Sequence, residues 1–472
     1  MSNGTSATDL DSLLARQRRA FAHDPLPGLK RRRADLKRLR RALLAHRRSL
    51  AEAISEDFGG RSEDETLLGE IMPSVEGLKY ARRHLRRWMA MERRSVQALF
   101  QPAWARVMWQ PVGVTGIIAP WNYPVYLTIG PLIGALAAGC RAMIKASEYT
   151  PRTAEVLQQM LSRTFPEDHV AVVTGDAEVA AAFSRLPFDH LLFTGSTAVG
   201  RHVMRAAAEN LVPVTLELGG KSPVIIAPDA DPASAAEQIA FGKTFNAGQT
   251  CVAPDYVLCP ESMEEEFLLA FADTVERLYP RWADNPDVTA IVSDRHYRRL
   301  QDIVADARGK GAHVATVGAG GEDLSGTRKL PVSIVRHVTD DMRVMTEELF
   351  GPILPVVPYT ELEDAIADVN GRPRPLALYL FSHDRESIRR VLARTHAGGV
   401  GINDVLSHVA QESLPFGGIG PSGMGQYHGR AGFETFSKAK PVLRRPRFNS
   451  ARLIYPPYGR WIHRLIYALT LR

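Results

Sequence analysis

The chain has 472 residues, with 58 Lys and Arg against 52 Asp and Glu, and 45% of its residues are hydrophobic. This composition is that of an ordinary globular protein, and it excludes wholesale disorder, a collagen-like repeat and a fibrous coiled coil. At about 100–200 residues per domain, the length predicts two to four domains that fold without disulfides or structural metals.

Positive charge is concentrated at two places in the chain. Ten Lys and Arg residues lie between Lys30 and Arg48, where Asp35 is the only acid, and seven Arg residues follow Pro441. No acidic residue follows Glu434. The whole chain has a net charge of only +6, which is less than that of the two basic segments together, so the part between them has a net negative charge. We interpret the first basic run as the solvated face of a helix, with nucleic-acid or membrane contact as the alternative.

Cysteine usage indicates a reducing compartment. The three cysteines, Cys140, Cys251 and Cys259, are too few for a disulfide framework, and no His residues join them at zinc-ligand spacing. The polar N-terminus, residues 1–11, lacks the apolar core of a secretory signal. We therefore expect a cytoplasmic protein that binds no metal.

The first ninety or so residues predict long amphipathic helices, because apolar residues recur there at helical spacing. These positions are Leu36, Leu39, Leu43, Leu50 and Ile54, followed by Ile71, Val75, Leu78, Ala81, Leu85 and Trp88. The most apolar stretch, Val125 to Ile144, is interrupted by Gly130, Pro131 and Gly139. It predicts a short helix and a buried strand, since a membrane span needs about 20 uninterrupted apolar residues.

Beyond Pro111, short apolar runs alternate with Ala-rich helical stretches. Strand candidates are 114–119, 142–145, 170–173, 191–194, 214–218 and 224–227, and a second set beyond residue 233 includes 312–317 and 332–337. This alternation predicts an α/β fold with parallel sheets and crossover helices. Such sheets often bind dinucleotides at the carboxyl ends of their strands.

Two glycine-rich segments are candidates for a phosphate-binding turn. Residues 418–423 satisfy the G-x-G-x-x-G pattern, but no Val/Ile-rich strand precedes them and Pro421 disfavours the helix that should follow. Residues 193–200 run from an apolar strand through a Gly-Ser turn into an Ala-rich helix. We favour the second segment, since a helix start offers free backbone N–H groups to an anion.

Cys251 and Glu217 stand out as candidate catalytic residues. We interpret Cys140 and Cys259 as small buried hydrophobes, which is the usual role of a lone cysteine. Cys251 lies instead among Gly and polar residues, where a thiolate could be exposed and stabilised. Glu217 ends an apolar strand, and burial there would raise its pKa toward that of a general base.

Six segments resemble, in order and spacing, the signature segments of NAD(P)-dependent aldehyde dehydrogenases. They are Pro120-Trp121-Asn122-Tyr123-Pro124, Lys145-Ala146-Ser147-Glu148, Phe193-Thr194-Gly195-Ser196, Glu217-Leu218-Gly219-Gly220-Lys221, Gly248-Gln249-Thr250-Cys251 and Glu347-Glu348-Leu349-Phe350-Gly351-Pro352. The resemblance runs from about Asp57 to Lys440. One departure is Ala146, where the family commonly has Pro, and we expect only a local effect.

The resemblance implies a role for each matching residue. Cys251 is the implied nucleophile and Glu217 the base, and Asn122 forms the oxyanion hole with the Cys251 backbone N–H. The implied cofactor-binding residues are Trp121, Lys145 and Glu148, Gly195, Ser196 and Gly200, and Glu348 and Phe350. Lys145 and Glu148 would hold the adenosine ribose, and Glu348 and Phe350 the nicotinamide end. The implied cofactor is NAD, with NADP possible.

The short N-terminal arm and residues 415–429 resemble the shorter, typically dimeric branch, which contains coniferyl, fatty and aromatic aldehyde dehydrogenases. The implied architecture has a Rossmann-type cofactor domain, an α/β catalytic domain and a small bridging β element. The implied boundaries are 1–97 and 115–218 for the cofactor domain, 219–430 for the catalytic domain, and 98–114 with 431–447 for the bridging element. Residues 399–404 and 441–443 are implied strands near a homodimer interface.

The implied reaction is the oxidation of an aldehyde to its carboxylic acid through a thioester on Cys251. Two alternatives remain: a relative that transfers the acyl group to CoA, and a non-catalytic binding protein on the same fold. Glu217 favours hydrolysis over CoA transfer. A phenylpropenal such as coniferyl aldehyde, a simple aromatic aldehyde and a medium-chain aliphatic aldehyde all remain open as substrates.

Residues 448–472 predict a basic amphipathic tail. In 460–469, one helical face carries apolar residues, with Arg460, His463 and Arg464 opposite or flanking; the apolar residues are Trp461, Ile462, Leu465, Ile466 and Leu469. This segment is too short to span a bilayer. We expect its apolar face to dock on the protein's own surface, with a weak interfacial membrane contact as the alternative.

Overall fold

The computed structural model describes residues 7–447 and 449–471, so the first six residues, Phe448 and Arg472 lie outside the described residues. Its N-terminal part is helical, as predicted. The helices are α1 (Ala7–His23), α2 (Leu29–Phe58), α3 (Glu63–Thr66) and α4 (Met72–Trp88), with a π-helical turn at Leu67–Ile71 between the last two. Every apolar position singled out in this region is buried, so each helix turns its apolar stripe to the core.

The basic run on α2 is only partly a solvated surface. Lys30, Lys37 and Arg47 are exposed, as predicted. Arg32 is 2% exposed, which contradicts its place on the polar face. Its guanidinium donates to the carbonyl oxygens of Pro27 (2.7 Å) and Ala137 (3.1 Å), so it connects α2 to a neighbouring helix end.

A six-stranded sheet follows, which confirms the predicted α/β class. Its strands are β3 (Val114–Ile118), β4 (Arg141–Lys145), β5 (Val170–Val173), β6 (His190–Thr194), β7 (Val214–Glu217) and β15 (Gly423–Met424), in the order β15-β7-β6-β3-β4-β5. All pairs are parallel except β15 with β7. The connecting helices are α5 (Tyr126–Ala138), α6 (Pro151–Thr164), α7 (Ala177–Ser184) and α8 (Thr197–Ala208).

The most apolar stretch of the chain forms α5 and β4, as predicted. Gly139, with φ 92°, ends the helix, and the strand begins two residues later. Across the described residues, no helix is both long and apolar enough to cross a membrane.

A seven-stranded sheet carries the second half of the chain. Its strands are β8 (Pro223–Ile226), β9 (Tyr256–Pro260), β10 (His313–Val317), β11 (Val332–Arg336), β12 (Ile353–Tyr359), β13 (Ala377–Phe381) and β14 (Gly399–Ile402), in the order β10-β11-β12-β9-β8-β13-β14. The accompanying helices are α9 (Pro232–Thr244), α10 (Glu264–Leu278), α11 (Asp294–Gly309), α12 (Arg343–Thr346), α13 (Leu362–Gly371) and α14 (Arg385–Arg394). All pairs are parallel except β10 with β11.

A three-stranded antiparallel sheet completes the fold. It consists of β1 (Glu92–Arg94), β2 (Trp104–Pro111) and β16 (Ser437–Arg444), with β2 in the centre, and α15 (Gly429–Thr435) precedes its last strand. Residues 441–443 of β16 pair with 105–107 of β2, so parts of the implied bridging segments 98–114 and 431–447 lie in one sheet. The sheets do not follow the implied boundaries residue by residue: β1 lies before residue 98, β3 begins at Val114, and β15, within 219–430, joins the six-stranded sheet. The division into domains itself stays a prediction.

The C-terminal tail forms the predicted helix, α16 (Trp461–Thr470), but with a different orientation. His463, expected on the polar side, is 2% exposed and faces the protein. Trp461, Leu465 and Leu469 are 73%, 46% and 72% exposed. The expected docking of the full apolar face on the protein's own surface is therefore wrong for these three residues.

Candidate active site

The segment before Cys251 is a tight turn held by buried amides. Asn246, Ala247 and Gly248 have φ values of 54°, 52° and 69°. A Cβ on Gly248 would also lie 2.7 Å from the Gly351 carbonyl oxygen, so only glycine fits there. The Asn246 amide donates to the Gln249 carbonyl, and the Gln249 amide donates back to the Asn246 carbonyl, both at 3.1 Å. The half-buried Cys251 follows this rigid turn.

Asn122 lies directly beside the nucleophile segment. Its side-chain amide donates to the Gln249 carbonyl at 3.1 Å, and its own carbonyl accepts from the Asn246 amide at 3.1 Å. The next residue, Tyr123, shares a hydrogen bond of 2.8 Å with the Thr250 hydroxyl. Three hydrogen bonds therefore join the 122–123 segment to the segment that precedes Cys251.

Glu217 ends β7, as predicted, and is 2% exposed. Within the described part of the chain, neither of its carboxylate oxygens has a hydrogen-bond partner. Burial raises its pKa well above the usual value. A Cβ on Gly417 would lie 3.2 Å from Oε1, so the loop that contains the rejected 418–423 motif covers this carboxyl group.

Cys251 has surroundings that oppose its ionisation, contrary to our expectation of an exposed, stabilised thiolate. Its pKa is raised to about 12, first by burial and then by the nearby carboxylates of Glu348 and Glu217. The pKa of Glu348 is itself raised to about 7, chiefly by burial. Glu217 lies 34 residues before Cys251 in the sequence and Glu348 lies 97 residues after it, so the fold brings the thiol and both carboxyl groups into electrostatic interaction at one site.

The predicted adenosine-side residues lie at the end of β4. Lys145 is its last residue, is 1% exposed, and donates to the Ala146 carbonyl at 2.8 Å. The Lys145 ammonium is 3.6 Å from the Glu148 carboxylate, whose side chain is 40% exposed. Burial lowers the pKa of Lys145. A cation and a partly exposed carboxylate are therefore available together at the carboxyl edge of the sheet.

Gly195 and Ser196 form the turn from β6 into α8, and Gly200 lies in the first part of α8, so the 193–200 segment has the predicted strand–turn–helix structure. The Ser196 hydroxyl caps the helix by accepting from the Val199 N–H at 3.4 Å. A Cβ on Gly200 would lie 2.6 Å from the Leu218 side chain, so glycine permits close helix–strand packing. This compact turn has the features of a site for a phosphate group.

Trp121 and Phe350 contact each other, and Glu348, two residues before Phe350, interacts electrostatically with Cys251. The Trp121 and Phe350 rings are 5.3 Å apart between centroids and inclined by 77°. Arg299 holds the 348–349 backbone by donating to the Glu348 carbonyl (2.5 Å) and the Leu349 carbonyl (2.9 Å). Among the described residues, the buried Oε1 of Glu348 has no partner. A ribose hydroxyl would satisfy that acceptor, so these residues fit a dinucleotide.

The sequence analysis missed several residues at this site. Arg61, Glu65 and Glu70 are buried and contact the segments that carry Asn122 and Asn246. His296 packs on Trp121 with ring centroids 5.0 Å apart. No local signal identifies them, because charged residues in a helical region are normally solvated. As for metals, the described residues contain no cluster of three or more His, Cys, Asp or Glu that could hold an ion.

Comparison with known proteins agrees with this geometry. The profile of the Aldehyde dehydrogenase family matches residues 2–442. A Pseudomonas aeruginosa protein named "Probable coniferyl aldehyde dehydrogenase" is 57% identical over 463 residues, 98% of this chain and 96% of that protein. The solved structure "Substrate bound state of Staphylococcus Aureus AldH" has a TM-score of 0.91 and 38% identity, and covers 98% of this chain and 99% of its own.

A second solved structure, Mycobacterium tuberculosis aldehyde dehydrogenase complexed with NAD+, has a TM-score of 0.86 and 30% identity. It covers 94% of this chain and 92% of its own. Because the family profile matches most of the chain and a half-buried cysteine interacts with two carboxyl groups, the chain belongs to the aldehyde dehydrogenase family and is an oxidoreductase that acts on aldehydes.

Proposed function

We propose that this enzyme uses NAD to oxidise a phenylpropenal such as coniferyl aldehyde to its acid, with Cys251 as nucleophile and Glu217 as base. The assignment rests on the electrostatic interaction of Cys251 with Glu217 and Glu348. The Asn122 amide is held near this site by its hydrogen bond to the Gln249 carbonyl. The name of the Pseudomonas aeruginosa relative supports the substrate, and the NAD+ complex of the Mycobacterium tuberculosis enzyme supports the cofactor. Simple aromatic and medium-chain aliphatic aldehydes are the competing substrates.

In the first half of the reaction, the Cys251 thiol releases its proton to solvent, and the resulting thiolate attacks the aldehyde carbon. A carbon–sulfur bond forms while the carbonyl π electrons move to oxygen. The Asn122 amide and the Cys251 backbone N–H stabilise that oxyanion. When bound, NAD supplies the acceptor for the hydride that leaves the same carbon. Trp121, Glu348 and Phe350 would hold its nicotinamide end, the 195–200 turn its phosphates, and Lys145 with Glu148 its adenosine ribose.

In the second half, Glu217 removes a proton from water, and the resulting hydroxide attacks the thioester carbon. The carbon–sulfur bond then breaks, which releases the carboxylic acid and restores the thiolate. A raised pKa suits this base, because a more basic carboxylate removes the proton of water more readily.

A panel of aldehydes, with NADH formation measured by absorbance in the presence and absence of CoA, tests this function. We expect turnover without CoA and the highest kcat/KM for the phenylpropenal. An absolute requirement for CoA would favour the acyl-transferring alternative. No NADH with any aldehyde would favour a non-catalytic binding protein. A higher kcat/KM for an aliphatic aldehyde would reject the substrate proposal alone.

Cofactor preference depends on Glu148 in this proposal. Its carboxylate can accept from a ribose 2′-hydroxyl and would repel the 2′-phosphate of NADP. We expect NAD to be preferred by wild type, and Glu148→Gln to raise the ratio of kcat/KM for NADP to that for NAD by about tenfold, or 1.4 kcal/mol. Glu155, on α6, is also an exposed carboxylate that pairs with a basic residue, Arg152, so Glu155→Gln is the matched control. A wild-type preference for NADP would contradict the assignment.

We propose a homodimer on the basis of two open sheet edges. β14 is the terminal strand of the seven-stranded sheet, and β16 is the terminal strand of the three-stranded sheet. Exposed apolar side chains lie on both, Ile402 at 37% and Leu443 at 55%. Exposed edge strands invite pairing with another chain, so β16 of one copy can extend the sheet that ends in β14 of its partner.

Light scattering at micromolar concentration is expected to give twice the chain mass of 52.1 kDa. Leu443→Glu should shift the protein toward monomer, since it places a charge on the edge strand. Leu453→Glu, at a 44% exposed position outside the strand, is the matched control. A wild-type protein that is monomeric under these conditions would contradict the dimer.

We propose that α16 makes a weak contact with anionic membrane surfaces. Trp461, Leu465 and Leu469 are exposed on a helix that follows a segment rich in Arg and free of acidic residues. An apolar stripe beside basic side chains suits the interface of an anionic bilayer.

Salt-sensitive binding to phosphatidylserine-containing vesicles is expected of the full-length protein. A full-length variant with Trp461→Ser, Leu465→Ser and Leu469→Ser should lose this binding and keep aldehyde oxidation. Leu211→Ser, at an 89% exposed position elsewhere, is the control for general loss of apolar surface. Equal vesicle binding by the triple variant and wild type would reject the proposal.

We also propose that the enzyme is cytoplasmic. All three of its cysteines are free thiols, and the reducing cytoplasm keeps thiols in this form.

A further inference from the structure

A buried ion cluster contacts the backbone of Asn122, the residue of the proposed oxyanion hole. We call it the Arg61 cluster; its members are Arg61, Glu65 and Glu70, on and just before α3 and in the following π-helical turn. The side chains of Arg61 and Glu70 are fully buried and that of Glu65 is 10% exposed. Arg61 donates to Glu70 at 2.9 Å and lies 3.7 Å from Glu65.

Arg61 contacts the segment that carries Asn122 in two ways. The Nη1 atom that binds Glu70 also donates to the Asn122 backbone carbonyl at 3.3 Å. The guanidinium lies over the Tyr123 ring at 5.0 Å and over the Phe58 ring at 5.4 Å from the centroids. Position and plane of the guanidinium are therefore set by two rings and a carboxylate.

The carboxylates of Glu70 and Glu65 accept hydrogen bonds from backbone N–H groups of two different segments at the site. Glu70 Oε2 accepts from the N–H groups of Val125 (2.6 Å) and Tyr126 (3.1 Å), at the start of α5. Glu65 accepts from the Asn246 N–H at 2.9 Å, in the turn before Cys251. The cluster thus holds both the segment that carries Asn122 and the turn that carries the nucleophile.

Stability alone does not explain such a cluster. Removing three charges from water is costly, and a buried ion pair is often no more stabilising than apolar residues of the same volume. Burial is the main influence on the pKa of both Glu65 and Glu70, and it raises both. The cluster instead makes directional contacts: each of its charged groups forms a hydrogen bond with a backbone atom of a segment at the active site.

We propose that Arg61 is a positioning residue that fixes the Asn122 side-chain amide for oxyanion stabilisation during attack by Cys251. The inference rests on the proposed roles of Cys251 and Asn122. Arg61→Lys keeps a positive charge but loses the planar guanidinium that contacts Glu70, the Asn122 carbonyl and both rings. A small displacement of the oxyanion donor is expected to slow attack with little effect on NAD binding.

A double-mutant cycle between Arg61 and Asn122 tests the proposal. The readout is the rate of NADH formation in the first turnover at saturating aldehyde and NAD, measured by stopped flow. We expect Asn122→Ala to slow this step by about 100-fold or more. Arg61→Lys should slow it by about tenfold in the wild-type background. It should have almost no effect in the Asn122→Ala background, because no side-chain donor remains to be displaced.

Two further variants complete the design. Arg48→Lys, at an 81% exposed position on α2, is the control and should leave the rate unchanged. Glu70→Gln keeps an acceptor for Val125 and Tyr126 but loses the charge that holds Arg61. It is measured in the wild-type and Asn122→Ala backgrounds in the same way as Arg61→Lys. This second route keeps the test decisive should Arg61→Lys fail to fold.

The arms of the cycle separate two kinds of failure. If Asn122→Ala leaves the first turnover unchanged, the proposed oxyanion role is wrong and the inference falls with it. If Asn122→Ala slows the step but Arg61→Lys and Glu70→Gln slow it equally in both backgrounds, or in neither, the proposed function stands and the positioning role is overturned. Loss of rate confined to the background that retains Asn122 supports the positioning role.

Discussion

Cys251→Ala is expected to reduce NADH formation by at least about a thousandfold, because the other two thiols, Cys140 and Cys259, are fully buried and cannot replace it. The substitution removes the sulfur but retains a small apolar side chain at a half-buried position. Binding of NAD should therefore persist, which quenching of protein fluorescence by the cofactor can measure. The expected pattern is loss of chemistry with retention of binding.

Cys259→Ala is the matched control for this substitution. Cys259 lies on β9, is 0% exposed, and has its pKa raised by burial as that of Cys251 is. We expect the control to keep near-normal kcat and to lose only the small stability that a core truncation costs. Turnover by Cys251→Ala at a rate close to that of the control would reject Cys251 as the nucleophile.

Glu217→Gln is expected to separate the two halves of the reaction. Glutamine has almost the same shape but cannot accept a proton from water, so the first turnover should proceed while hydrolysis slows by about 100-fold or more. A burst of NADH close to one equivalent per site should precede a slow steady state. Intact-mass spectrometry of the variant mixed with aldehyde and NAD should show the protein plus one acyl group.

The pH dependence supplies the second test of Glu217. Burial raises the pKa of its carboxyl group, so below that pKa the group is protonated and cannot act as a base. Hydrolysis by wild type should therefore increase as the pH rises through the raised pKa, and Glu217→Gln should lose this increase. Steady-state turnover of the variant at the wild-type rate, with no acyl adduct, would contradict the assignment.

Much of this enzyme could be predicted from local sequence patterns. The apolar spacing of α2 and α4, the strands from β3 to β8 and the helix–strand division of 125–144 are all confirmed. Buried positions along a helix or strand repeat at a fixed interval, so they can be recognised within one segment. Glu217 was recognisable for the same reason, since a carboxylate at the end of an apolar strand departs from the pattern around it.

Other features depend on contacts between segments that are far apart in the chain. Glu217 and Glu348 oppose ionisation of Cys251 only because the fold brings them together, and local composition had suggested a stabilised thiolate. Likewise, Arg61 and Glu70 look like solvated helix residues until α5 and the turn before Cys251 enclose them. The tail helix was predictable from its periodicity, but the face that it turns to the protein was not. Periodicity determines which residues share a face, whereas the tertiary contacts determine what that face meets and therefore the pKa, burial and partners of each group.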